Sequence, residues 1–136
     1  MITPYLTFYG NCKEALEFYQ GVFKCTPRMS QPYGDYIPEG LTEVPPHLKE
    51  WVLHAELEIG ETVVWFADEA VEPAVTGNNV KLVMTTETKK EADRIFNSLN
   101  DDARIILPPT QTFYSSFHAE IIDKYGIIWN IVAKEC

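Results

Sequence analysis

His54 and Glu56 stand two positions apart in a His-Ala-Glu triplet, and His118 and Glu120 stand in a second copy of it. In a strand, residues i and i+2 share a face, so each triplet would set an imidazole beside a carboxylate. Such a pair can exchange protons near neutral pH, and its nitrogen and oxygen donors can also hold a divalent ion. The plainer alternative is a partly buried imidazole hydrogen-bonded locally, next to a solvated glutamate. Lys81 offers other chemistry. It would bind an anionic group, or act as a base if desolvation lowered its pKa, and otherwise it reaches for solvent or a nearby carboxylate. Cys12, Cys25 and Cys136 have no metal-type spacing and no even disulfide count, and Cys12 and Cys25 lack the cationic pattern that would mark a low-pKa nucleophile, which makes them structural.

The elements that must position these residues are themselves repeated. Trp65 and Trp129 each follow their histidine by eleven positions, and upstream Lys13-Glu14-Ala15 matches Lys90-Glu91-Ala92, with Tyr19 against Phe96. The upstream copies are 77 positions apart and the downstream copies 64, so the first copy carries about thirteen extra residues, which fall within 31 to 50. A fixed-order repeat indicates a duplicated supersecondary unit burying apolar faces. The domain is therefore expected to be one body, residues 1–136, made of two βαβββ repeats at about 1–72 and 77–136.

Within the first copy, residues 2–9 read as a strand. Residues 12–23 read as a helix capped by Asn11, with Ala15, Phe18, Tyr19, Val22 and Phe23 on its apolar stripe. A possible strand at 25–31 precedes a proline-rich stretch from Pro32 to Pro46, which contains Tyr33, Asp35 and Tyr36 and is either a lid or a plain loop. Residues 52–59 and 62–67 form a hairpin about Gly60-Glu61. In the second copy a strand at 80–86 leads to a helix at 89–99 capped by Thr88. Strands follow at 104–107, stopped by Pro108-Pro109, then at 113–122 and 127–133.

A chain of 136 residues, 46% hydrophobic, can bury one substantial core. Its net charge of −9 disfavours nucleic acid and anionic membrane surfaces, and it has no apolar run long enough to cross a bilayer. Three unmatched cysteines suit a reducing compartment, so a cytoplasmic location is expected.

Two βαβββ units with a helix reading EALEFYQGVF and a last hairpin reading IDKYGIIWNIV resemble the vicinal-oxygen-chelate superfamily of glyoxalase I, bleomycin-resistance proteins and extradiol dioxygenases. ITPYLTFYGNCKEALEFY, HAELEIGETVVWFADE, EADRIFNSL and QTFYSSFHAEIIDKYGIIWNIV are most like its PhnB-like branch. The resemblance implies an α+β fold, with tandem duplicated βαβββ units forming curved mixed sheets around a cavity, and a homodimer. The exposed sheet edges of two short sheets also favour dimerisation. Members of that branch have carried the label of a ubiquinone-pathway methyltransferase, but no glycine-rich turn follows a strand here to seat a nucleotide-like cofactor. Where relatives tend to have Trp and small residues, this chain has Tyr114 and the bulkier Phe117-His118-Ala119, which implies a cavity mouth of different shape.

In metal-dependent members, the first and last strands of each unit supply His, Glu or Gln. Carried onto this chain by the helix motif and the final hairpin, those places hold Pro4, Phe66, Lys81 and Asn130. Proline and phenylalanine have no lone pair to give, an ammonium repels a cation and a lone amide oxygen is a weak ligand. No metal and no cofactor are therefore expected. The expected function is binding of a small, partly apolar molecule in a cavity lined by Phe8, His54, Phe66, Lys81, Phe113, Tyr114, His118 and Asn130. The rival reading is a divalent-metal-dependent lyase or dioxygenase of glyoxalase type that uses His54, Glu56, His118 or Glu120. A third is an interaction module whose cavity is filled by its own side chains.

Overall fold

Helix α1, Cys12–Phe23, buries Cys12, Ala15, Leu16, Tyr19 and Val22 along one stripe, and helix α2, Lys89–Leu99, buries Ala92, Ile95, Phe96 and Leu99. Both begin and end where the apolar periodicity predicts. Thr88 caps α2 as expected, its hydroxyl accepting the Glu91 N–H at 3.2 Å. Asn11 does not cap α1. Its side chain instead accepts from Tyr9 N–H at 3.3 Å, and the helix entry is held by Asp68, whose Oδ1 accepts from Gly10 N–H at 2.7 Å and Cys12 N–H at 3.1 Å. A carboxylate outcompetes a neutral amide for the orphan donors of a helix start.

The computed structural model describes residues 1–35 and 42–136, which divide into two units, Met1–Val75 and Thr76–Cys136. In the first, β1 (Tyr5–Phe8), β2 (Pro27–Pro32), β3 (Val52–Ile59) and β4 (Thr62–Asp68) form a sheet of order β1-β4-β3-β2, parallel between β1 and β4 and antiparallel elsewhere. In the second, β5 (Leu82–Thr86), β6 (Arg104–Thr110), β7 (His118–Ile122) and β8 (Ile128–Ala133) repeat that plan in the order β5-β8-β7-β6. The result is two βαβββ units, each with one helix and one mixed sheet.

One face of each sheet packs on its own helix. In the first unit Phe66 is fully buried, with its ring 6.3 Å from Phe8 and 5.8 Å from Tyr19 of α1. In the second, Ile121, Trp129 and Ile131 are buried, and Phe117 meets Phe96 of α2 edge-on at 6.0 Å. Burying each of these side chains contributes about 1.5–3 kcal/mol.

Four further expectations need correction. Pro108 and Pro109 do not stop β6, which runs to Thr110. This is an edge strand with an irregular register between Leu107 and Thr110, where prolines leave no central ladder bond unmade. Residues 113–117 are not strand, since β7 begins at His118, and Lys81 lies just before β5. The fixed 64-residue offset also fails across the hairpins. Glu56 pairs with Trp65, but Glu120 pairs with Asn130, because the loop joining β7 to β8 is longer than the Gly60-Glu61 turn. A slip of one residue moves a side chain to the opposite face. Asn130 therefore matches Trp65, and Phe66 matches Ile131.

The proline-rich segment is tied down at its flanks. Tyr33–Asp35 and Pro46–Leu48 are single 3₁₀ turns, Tyr33 donates its hydroxyl proton to the Asp68 carbonyl at 2.9 Å, and Gly34 N–H donates to the Lys49 carbonyl at 3.0 Å. Residues 36–41, including Tyr36 and the middle of the expected lid, lie outside the described residues.

Candidate functional site

The face of the second sheet that turns away from α2 carries His118 and Glu120 on β7 and Asn130 on β8. These sit next to Lys81 at the entrance to β5 and Tyr114 in the segment before β7. That segment is irregular but pinned. Buried Ser115 places its Oγ 2.6 Å from the Ala133 carbonyl oxygen and accepts from Phe117 N–H at 3.0 Å, and Phe117 is buried beside α2. Tyr114 is thereby brought to His118.

The five side chains form one hydrogen-bonded line. Tyr114 Oη lies 2.6 Å from His118 Nδ1, and His118 Nε2 lies 2.9 Å from Asn130 Oδ1. Asn130 Nδ2 donates to Glu120 Oε1 at 3.1 Å, and Lys81 Nζ donates to both Glu120 oxygens at 3.0 and 3.2 Å. The chemistry of the ends fixes the protons between them. An ionised carboxylate only accepts, so Asn130 turns its NH₂ to Glu120 and its oxygen to His118. That oxygen needs a donor, so His118 carries its proton on Nε2, leaving the Nδ1 lone pair to accept from Tyr114 O–H. The Lys81 ammonium, and next the Asn130 amide, hold the Glu120 carboxyl below the usual glutamate range against the opposing effect of its burial.

The first sheet presents its own triplet differently. His54 Nε2 is 2.9 Å from Glu56 Oε2, and the His54 ring stands edge-on to Trp65 at 4.8 Å and to Tyr5 at 6.3 Å. Trp65 occupies the place of Asn130 and has no amide with which to bridge. Within the second unit the structure therefore links Tyr114, His118, Asn130, Glu120 and Lys81 in sequence, and within the first it sets His54 beside Glu56, Tyr5 and Trp65. Phe8 and Phe66 belong to the helix-side core, and Phe113 is 96% exposed, touching Tyr114 edge-on at 5.2 Å. Sequence reasoning left Trp65 out of the site because it counted residues through the turns. The pairing of Glu56 with Trp65 shows where it belongs.

The donors do not suit a divalent ion. With the register corrected, the first- and last-strand positions on the helix-free faces hold Tyr5, Trp65, Val83 and Asn130. Both His118 nitrogens are engaged, and among the described residues no group of three or more His, Cys, Asp and Glu converges. Nor are Cys12 and Cys25 activated. Burial, and then the Asp68 charge, drive the Cys12 thiol far above its ordinary pKa, and burial also raises Cys25.

The sequence model of the 3-demethylubiquinone-9 3-methyltransferase family matches residues 1–132. The chain belongs to this PhnB-like family. It is 24% identical to Protein YjdN of Escherichia coli (strain K12), an alignment covering 98% of this chain and 97% of that one. Among solved structures, protein PA1353 from Pseudomonas aeruginosa is 27% identical with a TM-score of 0.85, over 100% of this chain and 98% of the other. A PhnB protein from Bacillus cereus, titled a putative 3-demethylubiquinone-9 3-methyltransferase, is 26% identical with a TM-score of 0.80, over 97% and 98%. The likeness to the fosfomycin resistance protein FosX of Listeria monocytogenes, at 8% identity and a TM-score of 0.68 over 98% and 92%, is one of fold. That fold is the glyoxalase/bleomycin-resistance-like one of the vicinal-oxygen-chelate superfamily. No helix among the described residues of this PhnB-like chain is long and apolar enough to cross a membrane.

Proposed function

We propose that this PhnB-like protein binds a small, partly apolar molecule on the helix-free face of its second sheet, without a metal ion. The observation that carries the reading is the unbroken line from Tyr114 through His118, Asn130 and Glu120 to Lys81. It offers a phenol at one end and an ammonium at the other, beside exposed Val83 and Phe113. A few fixed polar groups among apolar ones are what orient a small ligand.

The family's name suggests methyl transfer. A nucleotide-like methyl donor is ordinarily seated on free amides at a helix start after a glycine-rich turn. At α1 the Gly10 and Cys12 amides are held by Asp68, and at α2 the Glu91 amide is held by Thr88 and the Lys89 amide by Glu135. These residues do not fit such a donor, so the proposed function involves no methyl transfer. The reading includes a cytoplasmic homodimer, supported by the two edge strands that each sheet possesses.

The test is an amide-resolved NMR titration with flat amphipathic fragments in chelator-treated buffer. Binding is expected to move signals of Tyr114, His118, Glu120 and Asn130, and Asn130→Leu should abolish it. Shifts that require added Zn²⁺ or Mn²⁺ would transfer the case to the metal-dependent rival, and fragments that leave this face unmoved would end the proposal.

A further inference from the structure

A cleft of about 460 Å³ on the first unit is lined by Gly10, Lys13, His47, Lys49, Glu50 and Trp51. It shares no residue with the polar line of the second sheet. The volume falls in the range of small-molecule sites, which run to several hundred Å³. We propose that it is a second binding site, for a flat aromatic anion whose ring lies against Trp51 and whose carboxylate or phosphate is met by Lys13 and Lys49.

The indole is placed in advance. Trp51 donates its backbone N–H to the Leu48 carbonyl at 3.0 Å, and its own carbonyl accepts from Tyr33 N–H at 2.8 Å. Its ring stands edge-on to Tyr9 at 5.0 Å and to His47 at 6.3 Å. Gly10 is required here, with φ at +88° and so little room that an added Cβ would lie 2.8 Å from the indole Cζ2. The indole N–H has no acceptor among the described residues, and Trp51 is partly exposed where it lines the cleft.

The charges are also uncommitted. The chain has twenty acidic side chains for eleven Lys and Arg, and among the described residues Lys81, Arg94, Lys124 and Lys134 each hold a carboxylate. Lys13 and Lys49 form no ion pair among the described residues and so have their charge available to a ligand, although Glu50 lines the same cleft. A net charge of −9 repels anions at long range, so the two ammonium groups act only at contact and the ring must supply the rest of the affinity. A ring without charge, or a charge without a ring, meets half of the site.

The test uses the whole chain and 1-naphthoate, followed through the Trp51 indole N–H signal. A saturable shift is expected. Lys13→Gln combined with Lys49→Gln should weaken it by roughly tenfold or more while leaving the remaining amide spectrum in place, since both side chains are at the surface. Uncharged 1-naphthamide and ring-free inorganic phosphate should each bind at least about tenfold more weakly than 1-naphthoate. The proposal is overturned if 1-naphthoate leaves Trp51 unmoved, if the double variant binds as tightly as the native chain, or if either half-probe matches 1-naphthoate. Shifts at Tyr114 and His118 would report on the second sheet and leave this outcome separately readable.

Discussion

In the first unit His54 leans directly on Glu56 and packs its ring beside Trp65, whereas in the second His118 and Glu120 are held apart by the amide of Asn130. The triplet is the same in both. The residue facing it from the next strand differs, and that residue decides whether histidine and glutamate make a closed pair or the middle of a longer line. One tryptophan yields an aromatic patch, and one asparagine yields a directional chain of donors ending on a carboxylate.

The two units also differ in how they start their helices, and the largest expected effect lies there. Asp68 is buried and accepts from Gly10, Cys12 and Val52 N–H groups, the last at 2.9 Å on Oδ2, whereas Ala133 occupies the corresponding place in the second unit. Asp68→Ala strands three donors and should cost roughly 3–5 kcal/mol in a denaturant melt. Asn130→Leu comes next. It removes the bridge and leaves the His118 N–H without its acceptor, for about 1–3 kcal/mol, and should release His118 into a mixture of tautomers visible by ¹⁵N NMR. Trp65→Asn sharpens the comparison from the other side. It should insert an amide between His54 and Glu56, so that the His54 Nε2–H passes from the Glu56 carboxylate to the amide oxygen with a change in its ¹H shift, and change stability by only about 1 kcal/mol.

Lys81→Ala should have the smallest effect on stability, about 0.2–1 kcal/mol at neutral pH, because the pair is partly solvated. Its clearer readout is titration. The Glu120 pKa is depressed in the folded state, so its contribution is complete above the ordinary glutamate value and is lost as pH falls through the folded one. Without Lys81 the carboxyl should titrate closer to the ordinary value, and that part of the acid-side loss of stability should disappear.

The helices were legible in the sequence because periodicity and caps are local. Thr88 and the stripe from Ala92 to Leu99 define α2 without help from the rest of the chain. Duplication was legible from matched triplets and lysine-glutamate-alanine motifs. The faces were not, because the alternation of a strand has period two and the turns of the two units differ in length. Counting by a constant offset thus set Phe66 against Asn130, while the pairing sets Trp65 there and sends Phe66 to α1. The link from Tyr114 to His118 was equally hidden, since it depends on Ser115 and Phe117 pinning an irregular segment that reads as strand. Asp68 went unnoticed as the latch of α1 because its partners lie 56 and 58 positions away in the chain.

The central claim is that His118 is fully committed between Tyr114 and Asn130 and therefore serves a polar binding line rather than an ion. A long-range ¹H–¹⁵N NMR spectrum of the His118 imidazole, recorded before and after one equivalent of Zn²⁺, tests it directly. The account predicts a single Nε2–H tautomer that does not respond to the ion. An Nδ1–H tautomer, or a ring nitrogen that shifts on binding Zn²⁺, would contradict it.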